Sequence, residues 1–147
     1  MDIRTFIENN LEDMKKDLAA LVSYNSVFSE DEKPFGSQNR KVLDKALELM
    51  EEKGLKTTNG DYYCGFGETG EGEKLIGILA HLDVVPAGAD WDSDPFTMTE
   101  KDGFLYGRGV SDDKGAAVAS MYALKYLIQE GYPFQKRVRL ILGCNEE

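Results

Sequence analysis

The chain has 147 residues, 27 of them acidic and 17 basic, for a formal net charge of −10. That length supports one domain with a real core but not two comfortable ones, and 41% hydrophobic with 10% aromatic residues argues against disorder. The negative balance works against broad contact with phosphate backbones or anionic lipid, so neither nucleic acid nor a membrane is an expected partner.

The opening MDIRTFIENNLEDMKKD is charged throughout and has no apolar leader core. No run approaches the roughly 20 apolar residues of a spanning helix. The expected location is cytoplasmic. Leu11, Met14, Leu18 and Leu21 recur at helical spacing, which predicts an amphipathic helix from about residue 3 to 24. Val42, Leu43, Ala46, Leu47 and Met50 predict a second from about 37 to 53, with Gly54 as its stop. Asp61 to Phe66 reads as a strand, and the following GETGEGE as a turn.

Lys74 to Val85 begins with a continuous apolar run, which suits a strand covered on both faces, and Pro86 ends it. A loop containing Trp91 and Phe96 leads to SDDKG and then to a helix whose stripe is Ala117, Met121, Leu124 and Ile128. Gly131 and Pro133 close that helix, and Ser111 or Asp112 can cap its start. Val138 to Leu142 supplies a further strand, so the second half reads as a βαβ unit with parallel strands. Two distant cysteines, Cys64 and Cys144, suit packing better than a disulfide framework or a thiolate site.

The one histidine, His81, stands at the end of the most apolar strand. A lone histidine is more often a satisfied structural residue, but strand alternation puts Asp83 on the same face. A carboxylate there can hold one ring nitrogen and leave the other for a metal. Asp112 and Asp113 open the last helix. They can serve its dipole and free N–H groups, or a hard metal ion. Two lookalikes fail on counting. GRGVSDDKG carries Asp112 and Asp113 where a phosphate loop needs glycine and lysine, and the loop starting at Asp90 has Pro95 and Lys101 where a calcium loop needs glycine and glutamate. Glu146 and Glu147 are either a solvated acidic end or groups delivered by a strand to the sheet edge that also receives His81 and Asp112.

Taken together, HLDVVP, GRGVSDDKG and NEE resemble the di-metal family of aminoacylases, deacylases and dipeptidases that includes carboxypeptidase G, succinyl-diaminopimelate desuccinylase and peptidase V. The stretch PAGADWDSDPF…DGFLYGRGVSDDKG looks most like the peptidase V branch. The resemblance implies an α/β fold, with residues 1–147 as the N-terminal part of a zinc-peptidase-like catalytic domain whose mainly parallel or mixed sheet is flanked by helices. It implies two divalent ions, zinc first and manganese or cobalt as alternatives. His81 would ligate one ion with Asp83 orienting it, Asp112 would bridge both, Glu147 would ligate the second, and Glu146 would be the general base acting on metal-activated water. The family's remaining ligands, a carboxylate and a histidine, and its lid domain lie further downstream, so this chain is expected to break off within the active site. The implied function is hydrolysis of the amide bond of dipeptides or short peptides, with a small peptide substrate and an open oligomeric state. The alternatives are an N-acyl amino acid deacylase of the acetylornithine or succinyl-diaminopimelate type, or a truncated remnant without catalysis.

Overall fold

The computed structural model describes all of residues 1–147. Asp2 starts helix α1 (Ile3–Val22), where its carboxylate accepts the amides of Arg4 and Thr5 at 3.1 Å. Helix α2 (Ser37–Glu52) is capped from a distance. Its flanking residue is Gly36, and the carboxylate of Asp31 accepts both the Ser37 amide at 2.9 Å and the Ser37 hydroxyl at 2.5 Å. Those hydrogen bonds, the hydroxyl first, hold the Asp31 carboxyl at about 2. Strands β1 (Lys56–Gly60) and β2 (Cys64–Thr69) form a hairpin, so the strand expected at Asp61 begins three residues later. Asp61 and Tyr62 have positive φ and belong to the turn.

Strand β3 (Leu75–His81) is followed by a loop, by a small hairpin of β4 (Thr99–Lys101) and β5 (Phe104–Tyr106), by helix α3 (Lys114–Gln129) and by β6 (Arg137–Gly143). The β4–β5 turn is Asp102-Gly103, both at positive φ, the pairing that two-residue hairpins favour. The main sheet has the order β1-β2-β6-β3. Only β3 and β6 are parallel, with His81 opposite Gly143, and the sheet is therefore mixed. Parallel pairing brings the carboxyl ends of β3 and β6 to one edge.

The helices lie on one face. Leu140 and Leu142 of β6 are fully buried among Val42, Leu43 and Met50 of α2 and Ala117 and Met121 of α3, each large side chain contributing about 2 kcal/mol by leaving water. Gly65 and Gly67 let α2 approach β2 closely, since an added Cβ would stand 2.8 Å from Leu43 or Met50. Strand β3 stands at the edge of this sheet, and Leu79, on the face away from the helices, is 77% exposed, so within residues 1–147 one face of β3 is covered where the sequence suggested two. No helix is long and apolar enough to cross a membrane.

One polar contact binds the three helices. The carboxylate of Asp17 on α1 lies 2.6 Å from Lys53 Nζ, just past the end of α2, and accepts the Tyr122 hydroxyl of α3 at 2.8 Å. Both charges are largely out of water, so deleting one strands the other. Asp17→Ala is expected to lower the urea-unfolding free energy by about 3 kcal/mol. Tyr122→Phe, which loses only a hydroxyl, should cost about 1 kcal/mol. Equal losses for the two variants would show that Asp17 and Lys53 are not a desolvated pair.

Candidate metal centre

His81 is the last residue of β3, and its side chain is only 10% exposed. Its Nδ1 lies 3.0 Å from the main-chain carbonyl of Asp83. A carbonyl can only accept, so Nδ1 carries the proton and Nε2 of the neutral ring presents a lone pair. That lone pair faces Asp112 Oδ1 at 3.2 Å and Glu146 Oε2 at 3.5 Å. Three acceptors turned on one another are reconciled only by a proton or a cation between them. Burial pulls the His81 pKa down, but the Asp83 carbonyl and the charges of Asp83, Asp113 and Glu146 outweigh it and raise the imidazole above its ordinary value.

The Asp83 carboxylate does more than face the ring. It is nearly buried, and Oδ2 accepts the backbone amides of both Glu146 and Glu147, at 2.8 and 2.9 Å. Oδ1 stands 3.5 Å from Nδ1 without a hydrogen-bond partner. The ring is thus held by the main chain of Asp83, and its carboxylate holds the double glutamate.

Helix α3 begins later than the sequence suggests. Its N-cap is Asp113, not Ser111 or Asp112, and no side chain caps it. The Asp113 carboxylate instead accepts the His81 amide at 3.3 Å, and Asp112 points at the imidazole. Neither acid is used for capping. Gly109, at φ +91°, makes the tight loop possible, and an added Cβ there would stand 3.0 Å from both Lys114 and Val84.

Ligand atoms of His81, Asp112 and Glu147 lie within 4.8 Å of one another. One imidazole with carboxylates suits zinc, manganese or cobalt, and the opposed acceptors around Nε2 fit such an ion. All five residues singled out in the sequence, His81, Asp83, Asp112, Glu146 and Glu147, converge at one sheet edge. Cys144 is buried nearby, and burial, aided by the charge of Asp83, pushes its thiol up to about 12, so it packs without offering a thiolate. Beside the centre, on the uncovered face of the sheet, lies a cavity of about 410 Å³ lined by Phe35, Tyr63, Leu79, Ile141 and Glu146.

Sequence reasoning did not reach Ser26, Asp113's contact with the His81 amide, or the role of Lys114. Lys114 is the first residue of α3 and is fully buried, with Nζ donating to the Tyr24 carbonyl at 2.9 Å, and burial lowers its pKa to about 7. A signal existed, because a lysine at a helix start opposes the dipole and needs a specific partner.

Residues 77–147 match the family model described as peptidase family M20/M25/M40. The Bacillus subtilis protein named "Putative dipeptidase YtjP" is 44% identical over 140 residues, which cover 92% of this chain and 30% of that protein. Among solved structures, human carnosine dipeptidase 1 superposes with a TM-score of 0.82 at 22% identity, covering 95% of this chain and 33% of its own. An M20 family metallo-carboxypeptidase, Sso-CP2 from Sulfolobus solfataricus, gives 0.75 at 22% identity over 89% of this chain and 30% of its own. Identities at that level speak to the fold. The chain spans about 30% of the length of the curated relatives it matches.

The raised His81 pKa gives a pH dependence with a definite sign. The folded state favours the protonated ring, so its stabilisation is full below the unfolded value of 6.5 and is lost as pH rises through the folded value. Chelator-treated protein should therefore lose urea resistance as pH rises above about 6.5, and His81→Gln should flatten that slope. An unchanged slope in the variant would assign the effect elsewhere.

Proposed function

This chain carries a peptidase family M20/M25/M40 domain over residues 77–147, and from that premise we propose that its protein hydrolyses the amide bond of dipeptides or short peptides with divalent metal ions at the centre. Residues 1–147 are then the N-terminal part of the catalytic domain. The reading rests above all on the acceptors opposed around His81 Nε2, which a metal ion would reconcile as a proton does, with a third carboxylate, that of Glu147, within reach of the same point. It includes a cytoplasmic protein and two ions, with zinc the first to supply and manganese or cobalt next.

Bound there, divalent ions polarise a carbonyl and lower the pKa of a water. Each residue of the centre has a part around them. His81 offers Nε2, its tautomer fixed by the Asp83 carbonyl. Asp112, with two oxygens on an exposed side chain, can serve two ions at once, and Glu147 offers the next carboxylate. Glu146 takes the proton from the attacking water at a carboxylate oxygen and passes it to the leaving amine. As neighbours on a chain with both amides pinned to Asp83, Glu146 and Glu147 can aim in different directions.

In the full-length protein supplied with zinc, Glu146→Ala should reduce dipeptide turnover about a hundredfold or more while two ions stay bound, as measured by kinetics and metal analysis. Loss of metal together with activity would make Glu146 a ligand. Faster turnover of N-acetyl or N-succinyl amino acids than of dipeptides by the unsubstituted protein would replace the dipeptidase reading with a deacylase.

A further inference from the structure

Six polar or charged side chains are buried: Ser26, Asn39, Lys53, His81, Asp83 and Lys114. His81 and Asp83 belong to the metal centre, and Lys53 joins the helices. The other three meet at one segment, the linker between α1 and α2: Lys114 and Asn39 donate to its carbonyls, and Ser26 belongs to it. Lys114 Nζ donates to the Tyr24 carbonyl at 2.9 Å, and Asn39 Nδ2 donates to the carbonyls of Val27 and Phe35 at 3.3 and 2.9 Å. Ser26 Oγ donates to the Leu82 carbonyl at 2.7 Å, and the Ser26 carbonyl accepts the Val84 amide at 3.1 Å.

Ser26 therefore grips both neighbours of Asp83. Beyond His81 the chain leaves the strand, and its last sheet bond is from the Leu82 amide to Gly143. Over the next two residues Ser26 does the work of a neighbouring strand. What it steadies is the residue whose carboxylate holds the amides of Glu146 and Glu147. The path also closes on itself: Lys114, which anchors the linker, stands two residues after Asp112. None of the linker lies within residues 77–147, the part that matches the family model.

We infer that Ser26 is a positioning residue of the centre, acting through Asp83 to set the double glutamate, with Lys114 anchoring the linker that carries it. This rests on the proposed function for the meaning of Glu146 and Glu147, but not for the coupling itself. Alanine at this position leaves the Leu82 carbonyl without a buried donor and frees the segment carrying Asp83. A displaced Asp83 carboxylate then moves both glutamates.

Two variants of the full-length protein test this: Ser26→Ala, and Ser26→Thr, which keeps the hydroxyl. In metal-free protein, hydrogen exchange at the amides of Val84, Glu146 and Glu147 should quicken about five- to tenfold in the alanine variant, with α2 and the β1–β2 hairpin unchanged. Zinc affinity by calorimetry should fall by a similar factor, and kcat should fall with KM unchanged. The threonine variant should stay near the unsubstituted protein in all three. Faster exchange at Val84 alone, or a general loss of protection reaching α2, would overturn the inference, as would unchanged zinc affinity. An unsubstituted protein inactive on peptides would instead defeat the functional reading and leave the exchange result standing.

Discussion

The centre depends on one buried carboxylate. Asp83 Oδ2 accepts two consecutive amides, and this fixes the end of β6 against the end of β3 at a point where the sheet ladder has already stopped. Charge-assisted bonds of this kind are about twice as strong as neutral ones, and two on one oxygen restrict the direction in which the peptide can turn. Without them, Glu146 and Glu147 would be adjacent acids on a loose segment. With them, the two side chains leave from a known place beside an imidazole whose orientation is set by the same residue's carbonyl.

The sheet makes that contact possible. Because β3 and β6 run parallel, with α3 crossing between them, both strands and the start of α3 deliver their functional groups to one edge. The β1–β2 hairpin is antiparallel to β6 and brings no ligand. Its contribution is Gly65 and Gly67, which allow α2 to sit down on the sheet and bury Leu140 and Leu142. Packing on one face thus fixes the direction of β6, and the direction of β6 fixes where the glutamates emerge.

How much of this was legible depended on the kind of signal each part carries. The three helices and the apolar strands β3 and β6 follow from hydrophobic spacing, because burial on one face writes a period into the sequence. Strand β1, KTTNG, has no apolar alternation to detect, and the β4–β5 hairpin rests on the Asp102-Gly103 turn between strands of three residues. The five acids and bases of the centre were visible as motifs at strand and helix ends. Ser26 and the amide contact of Asp113 were not, since they act on main-chain groups of segments far away in sequence and no side-chain pattern records such a bond; Lys114 gave only the hint of a lysine at a helix start, with nothing to name its partner. The helix start shows the same limit. Ser111 and Asp112 look like caps, yet Asp112 is drawn to His81 and Asp113 to its amide.

The distribution of burial explains why the centre can be both firm and reactive. The holding groups, His81 and Asp83, are almost wholly enclosed, whereas the side chains of Asp112 and Glu146 are 78% and 65% exposed. Enclosure fixes a hydrogen bond in a low dielectric, and exposure leaves a carboxylate within reach of ligands. The negative charge gathered around one imidazole works against the fold while no cation is present, a local cost of the kind that functional sites carry. Lys114, buried at the start of α3, has its pKa lowered to about 7 by burial, and the charge of Asp83 opposes that shift. On its solvent side the imidazole faces the exposed carboxylates of Asp112 and Glu146, and under the proposed function that is the side open to a metal ion and a peptide.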